Sequence, residues 1–241
     1  MNKSRCAVVI PVYKRKLNKF EHASLLRTCA VLGGQHDLYF VAPESFEKTK
    51  CYETPVDIRF VRFEDKYFQS VDTYSKLCEL PGFYGYFLDA GYEFMLICQL
   101  DAWVFFDRLE HFMNMGYDYF GGPHYQSGPW SGFRNGNGGL SLRRLSAMYE
   151  ACVKTDFSHN FKPEDCAFTN DCTDILKLAP VDVCFTFSIQ QAPVKYEYLN
   201  DIHCLPMGTH QPYISQLWHR FWSKYIPVDR ETMNEPYECE E

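Results

Sequence analysis

The chain contains no C-x-x-C pair, no H-E-x-x-H string and no G-x-x-x-x-G-K-[ST] loop. Those absences set aside zinc ribbons, thioredoxin-like redox motifs, zincin-type proteases and P-loop nucleotide hydrolases. No G-x-G-x-x-G follows the first apolar run, so a dinucleotide-binding fold loses support. No apolar stretch approaches the ~20 residues of a membrane-spanning helix. Positive charge is in short supply: 24 Lys and Arg stand against 31 Asp and Glu, a net charge of −7. That balance excludes non-specific nucleic-acid binding, which needs a basic footprint. An anionic substrate must therefore meet a local basic cluster or a metal ion. Internal repeats, low-complexity tracts and an obvious linker are missing too.

What is present is an aromatic-rich sequence of ordinary hydrophobicity. Its 241 residues are 46% hydrophobic and 17% aromatic, with 17 Tyr and 20 Phe. This length suits one large domain or two closely packed lobes. The aromatic excess suits strand faces and a sugar- or base-stacking surface, and core packing accounts for it equally well. The 11 Cys are odd in number, and Cys6, Cys29, Cys98 and Cys184 lie inside apolar runs. A reduced thiol in such a run behaves as a small hydrophobe. Met1–Arg5 leads into an apolar run too short for a signal segment and without a small-residue cleavage site. The expectation is a cytoplasmic protein with free thiols.

Apolar periodicity predicts an α/β protein. Cys6–Tyr13 reads as a buried first strand closed by Pro11 and the basic Lys14-Arg15-Lys16. Phe20, Ala23, Leu26, Cys29 and Ala30 recur at helical spacing, and Gly33-Gly34 stops that helix. Asp37–Pro43 and Ile58–Phe63 are the second and third strands, Ser70–Leu88 is helical with a break at Pro81-Gly82, and a fourth strand runs to Asp101. Repeated β-α-β units with short connections imply a largely parallel sheet with helices on both faces. After about residue 120 the run from Ser127 to Gly139 is rich in Gly, Pro and aromatics and reads as a functional loop. Leu142, Leu145, Met148 and Cys152 mark a helix capped by Ser141, and Pro163 opens another with Phe168, Cys172, Ile175 and Leu176 inside. A C-terminal helix is expected from Tyr213 to Tyr225. Its Trp218, Phe221, Trp222 and Tyr225 suit packing on the domain, or a peripheral membrane contact beside a lipid-linked acceptor.

Four places have residues suited to chemistry. Asp101 ends an apolar strand, where a carboxylate either holds a divalent cation or caps a turn, and Gln99 falls on the same side of the strand. Asn137-Gly138-Gly139 lets backbone approach a ligand, and the following Arg143 and Arg144 either meet phosphate or are solvated. Glu164 and Asp165 supply a general base or merely complement a helix dipole. His210, after Pro206-Met207-Gly208-Thr209, offers a metal ligand or is an ordinary surface residue.

The ordered succession of Val8–Lys14, Tyr39–Glu44, Phe63–Ser70, Gln99–Ala102, Gly136–Arg143, Glu164-Asp165 and Pro206–His210 resembles GT-A glycosyltransferases. More narrowly it resembles small bacterial glycosyltransferase-like domains associated with polysaccharide and lipopolysaccharide synthesis. The likeness covers roughly residues 5 to 212 in order. It implies a GT-A-like, Rossmann-type, mostly parallel central sheet. Residues 1–106 would form a nucleotide-sugar-binding half, 107–212 an acceptor and catalytic half, and 213–241 a C-terminal helix and tail. It implies donor contacts from Pro11, Val12, Tyr13, Lys14, Lys66, Ser70, Gln99 and Asp101. Asn137, Gly138 and Gly139 would lie beside the sugar and acceptor. Asp165, ahead of Glu164, matches the base of inverting members. One acid of the D-x-D pattern is absent, since the strings are Gln99-Leu100-Asp101 and Asp101-Ala102-Trp103. Asp101 with His210 is then the implied holder of Mn²⁺ or Mg²⁺. The implied activity moves a hexosyl-type sugar from a nucleotide donor, by analogy a UDP-sugar, to a hydroxyl of a bacterial or lipid-linked glycan at the inner face of the membrane. Two rivals are a sugar nucleotidyltransferase, which calls for a Gly-rich loop where this chain has Pro11–Arg15, and a non-catalytic glycan-binding domain.

Overall fold

Continuous burial makes the central strands. In the computed structural model, which describes residues 4–126, 132–134, 136–160, 162–190, 205–214, 218–219 and 221–238, all six residues of β1 (Cys6–Pro11) are buried. A strand covered on both faces has to be apolar throughout, and CAVVIP is. The elements that follow are α1 (Lys19–Leu32), β2 (Asp37–Pro43), β3 (Ile58–Phe63), α2 (Val71–Cys78), α3 (Pro81–Asp89), β4 (Phe94–Cys98), β5 (Ala102–Val104), α4 (Leu109–Met113) and β6 (Tyr119–Gly121). Next come β7 (His124–Gln126), β8 (Gly132–Arg134), β9 (Leu140–Arg144), α5 (Leu145–Lys154), α6 (Glu164–Asp171), α7 (Val181–Phe187), β10 (Ser188–Ile189) and β11 (Gly208–His210).

The six-stranded sheet runs β3-β2-β1-β4-β9-β6. The first four strands are parallel, and β9 is antiparallel to both its neighbours. Successive β1 side chains point to opposite faces. Cys6, Val8 and Ile10 therefore meet Leu25, Cys29 and Leu32 of α1. Ala7 and Val9 meet Leu77 of α2, Phe83 and Phe87 of α3, and Leu145 and Met148 of α5. This is a mixed α/β architecture with helices on both faces of the sheet, as the periodicity implied. Among the described residues nine cysteines are free and none is bridged, while Cys204 and Cys239 lie outside them. No helix among the described residues is long and apolar enough to cross a membrane.

Three elements differ from expectation, each for a physical reason. The buried face of α1 is Phe20, Ser24, Leu25, Thr28, Cys29 and Leu32, a stripe rotated from the apolar spacing. Ser24 donates its hydroxyl proton to the Ala102 carbonyl and Thr28 meets Cys98 Sγ, so two polar residues face the sheet with their hydrogen bonds satisfied. The Gly-rich segment feeds a strand rather than a helix. Leu140 and Leu142 alternate with Ser141 and Arg143 across β9, and α5 starts only at Leu145, with no side-chain cap from Ser141. Asn135 of that segment lies outside the described residues. Finally, no α-helix forms among the described residues of 213–225, where Trp222–Lys224 makes a single 3-10 turn. Trp218 and Trp222 are each 1% exposed and pack with Phe20, Trp103, Phe105 and Ile189. That burial agrees with packing on the domain and takes both tryptophans out of the alternative, a membrane-facing surface.

The same C-terminal region straps the start of α1. Asn18 caps the helix, accepting from Glu21 N at 2.7 Å while Glu21 Oε2 accepts from Asn18 N at 3.0 Å. The next amides, Lys19 N and Phe20 N, donate to the carbonyls of Glu235 and Met233 at 3.0 and 3.1 Å. Burial of Trp222 predicts a cost of about 3–5 kcal/mol for Trp222→Ala in urea denaturation. A loss within about 0.5 kcal/mol, the usual range for a surface position, would return the residue to the surface.

Candidate functional site

The chain leaves β1 and β4 at their carboxyl ends and opens a cleft of about 640 Å³. Outer strand ends are where open α/β sheets bind ligands. Pro11, Tyr13 and Lys14 after β1, Ser70 before α2, and Gln99 and Asp101 after β4 line it. Asn137, Gly138, Gly139, Glu164, Asp165 and His210 complete its wall, together with Gln190 and Gln211. Two of the expected donor residues are elsewhere. Val12 is fully buried and extends the ladder through its amide to the Val41 carbonyl at 2.8 Å. Lys66 is exposed, paired with Glu64 at 2.8 Å and lying over the Tyr67 ring, and it does not line the cleft. Tyr13 is 55% exposed, and Lys14 is tied to Glu21.

Register brings Asp101 and His210 together. A tight turn, with Ala102 N donating to the Gln99 carbonyl at 3.0 Å, places Asp101 between β4 and β5. Antiparallel pairing of β11 on β5 sets His210 opposite Ala102. His210 Nε2 is 3.1 Å from Asp101 Oδ1, and Gln211 Nε2 donates to Oδ2 at 2.9 Å. Gln211 also sends its backbone amide to the Asp101 carbonyl at 2.9 Å. It does so at φ 50°, the only positive φ of a non-glycine among the described residues. A left-handed Gln costs free energy, and strain of this kind collects at functional sites. Burial raises the Asp101 carboxyl, but the His210 charge and the hydrogen bonds from His210 and Gln211 outweigh it and hold it below the usual range. On its far side His210 Nδ1 donates to Gln190 Oε1 at 2.8 Å. A neutral ring with its proton on Nδ1 turns the Nε2 lone pair toward Asp101, and a charged ring donates there instead. Two acceptors at that separation call for a second ring proton or a cation between them. Gly139 makes the arrangement possible: a Cβ there would lie 2.1 Å from His210 Nε2.

On the opposite wall, Arg143 gives the two acids different surroundings. Its side chain is wholly buried, so neither the solvated nor the phosphate-facing reading applies. Its Nη2 donates to Glu164 Oε1 at 2.9 Å, Nη1 to the Tyr84 hydroxyl at 2.9 Å, and Nε to Ser141 Oγ at 3.0 Å. Ser141 Oγ in turn donates to the Gly138 carbonyl at 2.9 Å. Arg144 pairs with Asp118 at 2.9 Å and covers the Phe94 ring. Glu164 is thus the counter-ion of a buried cation. Its carboxyl is raised by burial and by Asp165, against the pull of Arg143. Asp165 has no Lys or Arg partner among the described residues: Oδ2 accepts from Gly138 N at 2.9 Å and Oδ1 from Cys166 N at 2.7 Å.

Several residues of the site carry no sequence signal. Gln190 and Gln211 are glutamines without motif or spacing. The Tyr74 hydroxyl borders the cleft, buried without a hydrogen-bond partner, and burial pushes it well above its ordinary value. His124 Nε2 is also buried and unpartnered, 3.9 Å from Asp165 Oδ2. Burial lowers that imidazole, with Asp165 opposing the shift. The donor atoms of His124, Asp165 and Cys166 lie within 4.8 Å of one another.

The buried pair makes a prediction about stability. Arg143→Met alone leaves Glu164 uncompensated and should cost about 3–5 kcal/mol, and adding Glu164→Leu should recover most of it. Chemical denaturation of the single and double variants checks this, and a negligible single-variant cost would show that the Arg is not buried.

With this geometry in hand, comparison with solved structures gives the fold. The chain is similar to the apo-form glycosyltransferase GlyE of Streptococcus pneumoniae TIGR4, with a TM-score of 0.55 and 15% identity, over 99% of this chain and 65% of that one. It therefore spans about two thirds or slightly less of the length of that relative. A second structure of GlyE matches with a TM-score of 0.50 at 16% identity, over 100% of this chain and 66% of that one. Core-mannan synthase A of Aspergillus fumigatus, in its Mn/GDP form, matches with a TM-score of 0.50 at 7% identity, over 73% of this chain and 72% of that one. Identities this low establish likeness of fold, here to glycosyltransferase folds. No curated protein matches the sequence. One family profile does, over residues 57–210, a span that holds Asp101, Asn137–Gly139, Glu164, Asp165 and His210. The chain belongs to that family, described as "Protein of unknown function (DUF5672)".

Proposed function

We propose that the chain is a nucleotide-sugar-dependent glycosyltransferase, with a UDP-sugar as donor and a glycan hydroxyl as acceptor. The single observation that carries this is the cleft wall itself. A carboxylate and an imidazole meet at 3.1 Å on one side, and a second carboxylate without a Lys or Arg partner among the described residues stands on the other. The first pair suits a divalent ion. Donors about 2.1 Å from an octahedral ion sit roughly 3 Å apart, which is the spacing of Asp101 Oδ1 and His210 Nε2. Gln190 on Nδ1 leaves Nε2 free to ligate, the outer-shell arrangement usual for metal-bound histidine. Asp101 and His210 would hold Mn²⁺ or Mg²⁺, and such an ion would offset charge on a departing diphosphate. The Mn/GDP form of the Aspergillus neighbour is compatible with this.

The chain's own residues supply the rest. Tyr13 and Phe68 offer aromatic faces within the cleft for a nucleobase. Gly138 and Gly139 keep the floor at backbone level, so a sugar ring can approach between the two walls. Asp165 takes the proton of the acceptor hydroxyl as its oxygen attacks the anomeric carbon, giving inversion. The bond from Arg143 to Glu164 favours Asp165 over Glu164 for that role. The half of the chain up to about residue 106 then binds the donor, and residues 107–212 bring the acceptor and the base.

Asp165→Asn should lower kcat by about 10²–10⁴-fold, the usual contribution of a general base, with nucleotide affinity unchanged. A loss of only a few-fold in steady-state kinetics would move the base elsewhere. Asp101→Asn should abolish the Mn²⁺ enhancement of UDP binding in calorimetry. Glycan binding by the wild type without any nucleotide affinity would replace the enzyme with a glycan-binding module.

A further inference from the structure

We propose that His124, Asp165 and Cys166 form a second cation site, one for a thiophilic divalent ion of the zinc class, separate from Asp101 and His210. The donors come from two elements, β7 and the first turn of α6. His124 Nε2 is buried and makes no hydrogen bond among the described residues. Its nearest carboxylate oxygen, Asp165 Oδ2, is 3.9 Å away, too far for a hydrogen bond and close enough for two ligands of one ion. Gly136 leaves room beside the ring, since a Cβ there would sit 3.0 Å from His124 Cδ2 and 3.3 Å from Nε2. Cys166 completes the set. Every other described cysteine is buried, and Cys166 alone is partly accessible. A soluble ion can reach it.

Donor chemistry selects the ion. One imidazole nitrogen, one carboxylate oxygen and one sulfur suit tetrahedral zinc with a water as fourth ligand, whereas Mg²⁺ and Mn²⁺ favour oxygen. The three donor atoms span at most 4.8 Å. Bonds of about 2.0–2.3 Å to zinc bring donors to within roughly 3.3–3.8 Å of one another, so closing on the ion takes side-chain shifts of about an ångström. On binding, the Cys166 thiol gives up its proton to solvent and its sulfur forms the bond to the metal, so one proton leaves per ion bound. Asp165 Oδ2 is then committed to the cation. Zinc would therefore stop glycosyl transfer, a consequence that rests on Asp165 being the base; the binding itself does not.

The test is a titration of the reduced full chain with Zn²⁺ alone, in competition with a chromophoric chelator, and with Co²⁺ as a spectroscopic probe. Wild type and Asp101→Asn should each bind one thiolate-ligated equivalent. Cys166→Ser and His124→Gln should each weaken it by roughly tenfold or more. The Co²⁺ complex should show sulfur-to-metal charge-transfer absorption that Cys166→Ser removes. Thermal melts confirm that the variants are folded. Zinc affinity unchanged in both Cys166→Ser and His124→Gln, or lost only in Asp101→Asn, would overturn the proposal. A protein inert toward every nucleotide sugar but still binding zinc through Cys166 would overturn the transferase reading and leave this one standing.

Discussion

A guanidinium without access to water must have every donor matched, and Arg143 is such a group at the centre of this molecule. Its partners come from three directions: Tyr84 on α3, Glu164 at the start of α6, and Ser141 two positions back on its own strand. The rings of Tyr119 and Phe168 flank it at 5.3 and 6.0 Å. Removing a charge from water is costly unless it is both paired and hydrogen-bonded, so these elements can move apart only by exposing the cation or stranding it. One buried ion therefore fixes where α6 begins relative to β9. Asp165, the residue after Glu164, inherits its position from that bond.

Close approach is the second constraint. Between β9 and the cleft the chain has no room for side chains. A Cβ on Gly138 would lie 2.6 Å from Glu164 Oε1, and one on Gly139 would overlap the His210 ring. Backbone thus separates the Asp101–His210 wall from the Asp165 wall by one peptide's thickness. The Gly138 amide spans that boundary, donating to Asp165, while the Gly139 carbonyl accepts from Gln99 on the other side at 2.8 Å.

The sheet was legible because burial on both faces requires apolar runs, and runs such as Val8-Val9-Ile10 or Phe94–Cys98 contain nothing else. Legibility failed where polar groups are buried with partners. Ser24 and Thr28 fall outside the apolar spacing of α1, yet they bond to the sheet. Leu142, Leu145 and Met148 fell at helical spacing by accident, since the first belongs to a strand and the others to the helix after it. Arg143 read as a phosphate contact or a solvated cation because a sequence gives residue types and not their partners. In the cleft, Asp101, Gly139, Asp165 and His210 each carried a local clue. Their meeting depends on the pairing of β5 with β11, across 109 positions between Asp101 and His210. Gln190 and Gln211 had no clue, because an amide that orients a ligand is chemically ordinary until the ligand is beside it.

The strap across α1 bears on how the chain is made. A helix begins with amides that no residue of its own can satisfy. Here those of Lys19 and Phe20 wait for carbonyls more than two hundred positions downstream. On the ribosome, β1 and α1 emerge before residues 233–235, and water must occupy those two amides until those residues follow. The helix whose Asn18 and Glu21 border the cleft is thus sealed only once the chain has been made that far. A nascent chain, however well its sheet has formed, holds an unfinished pocket until then.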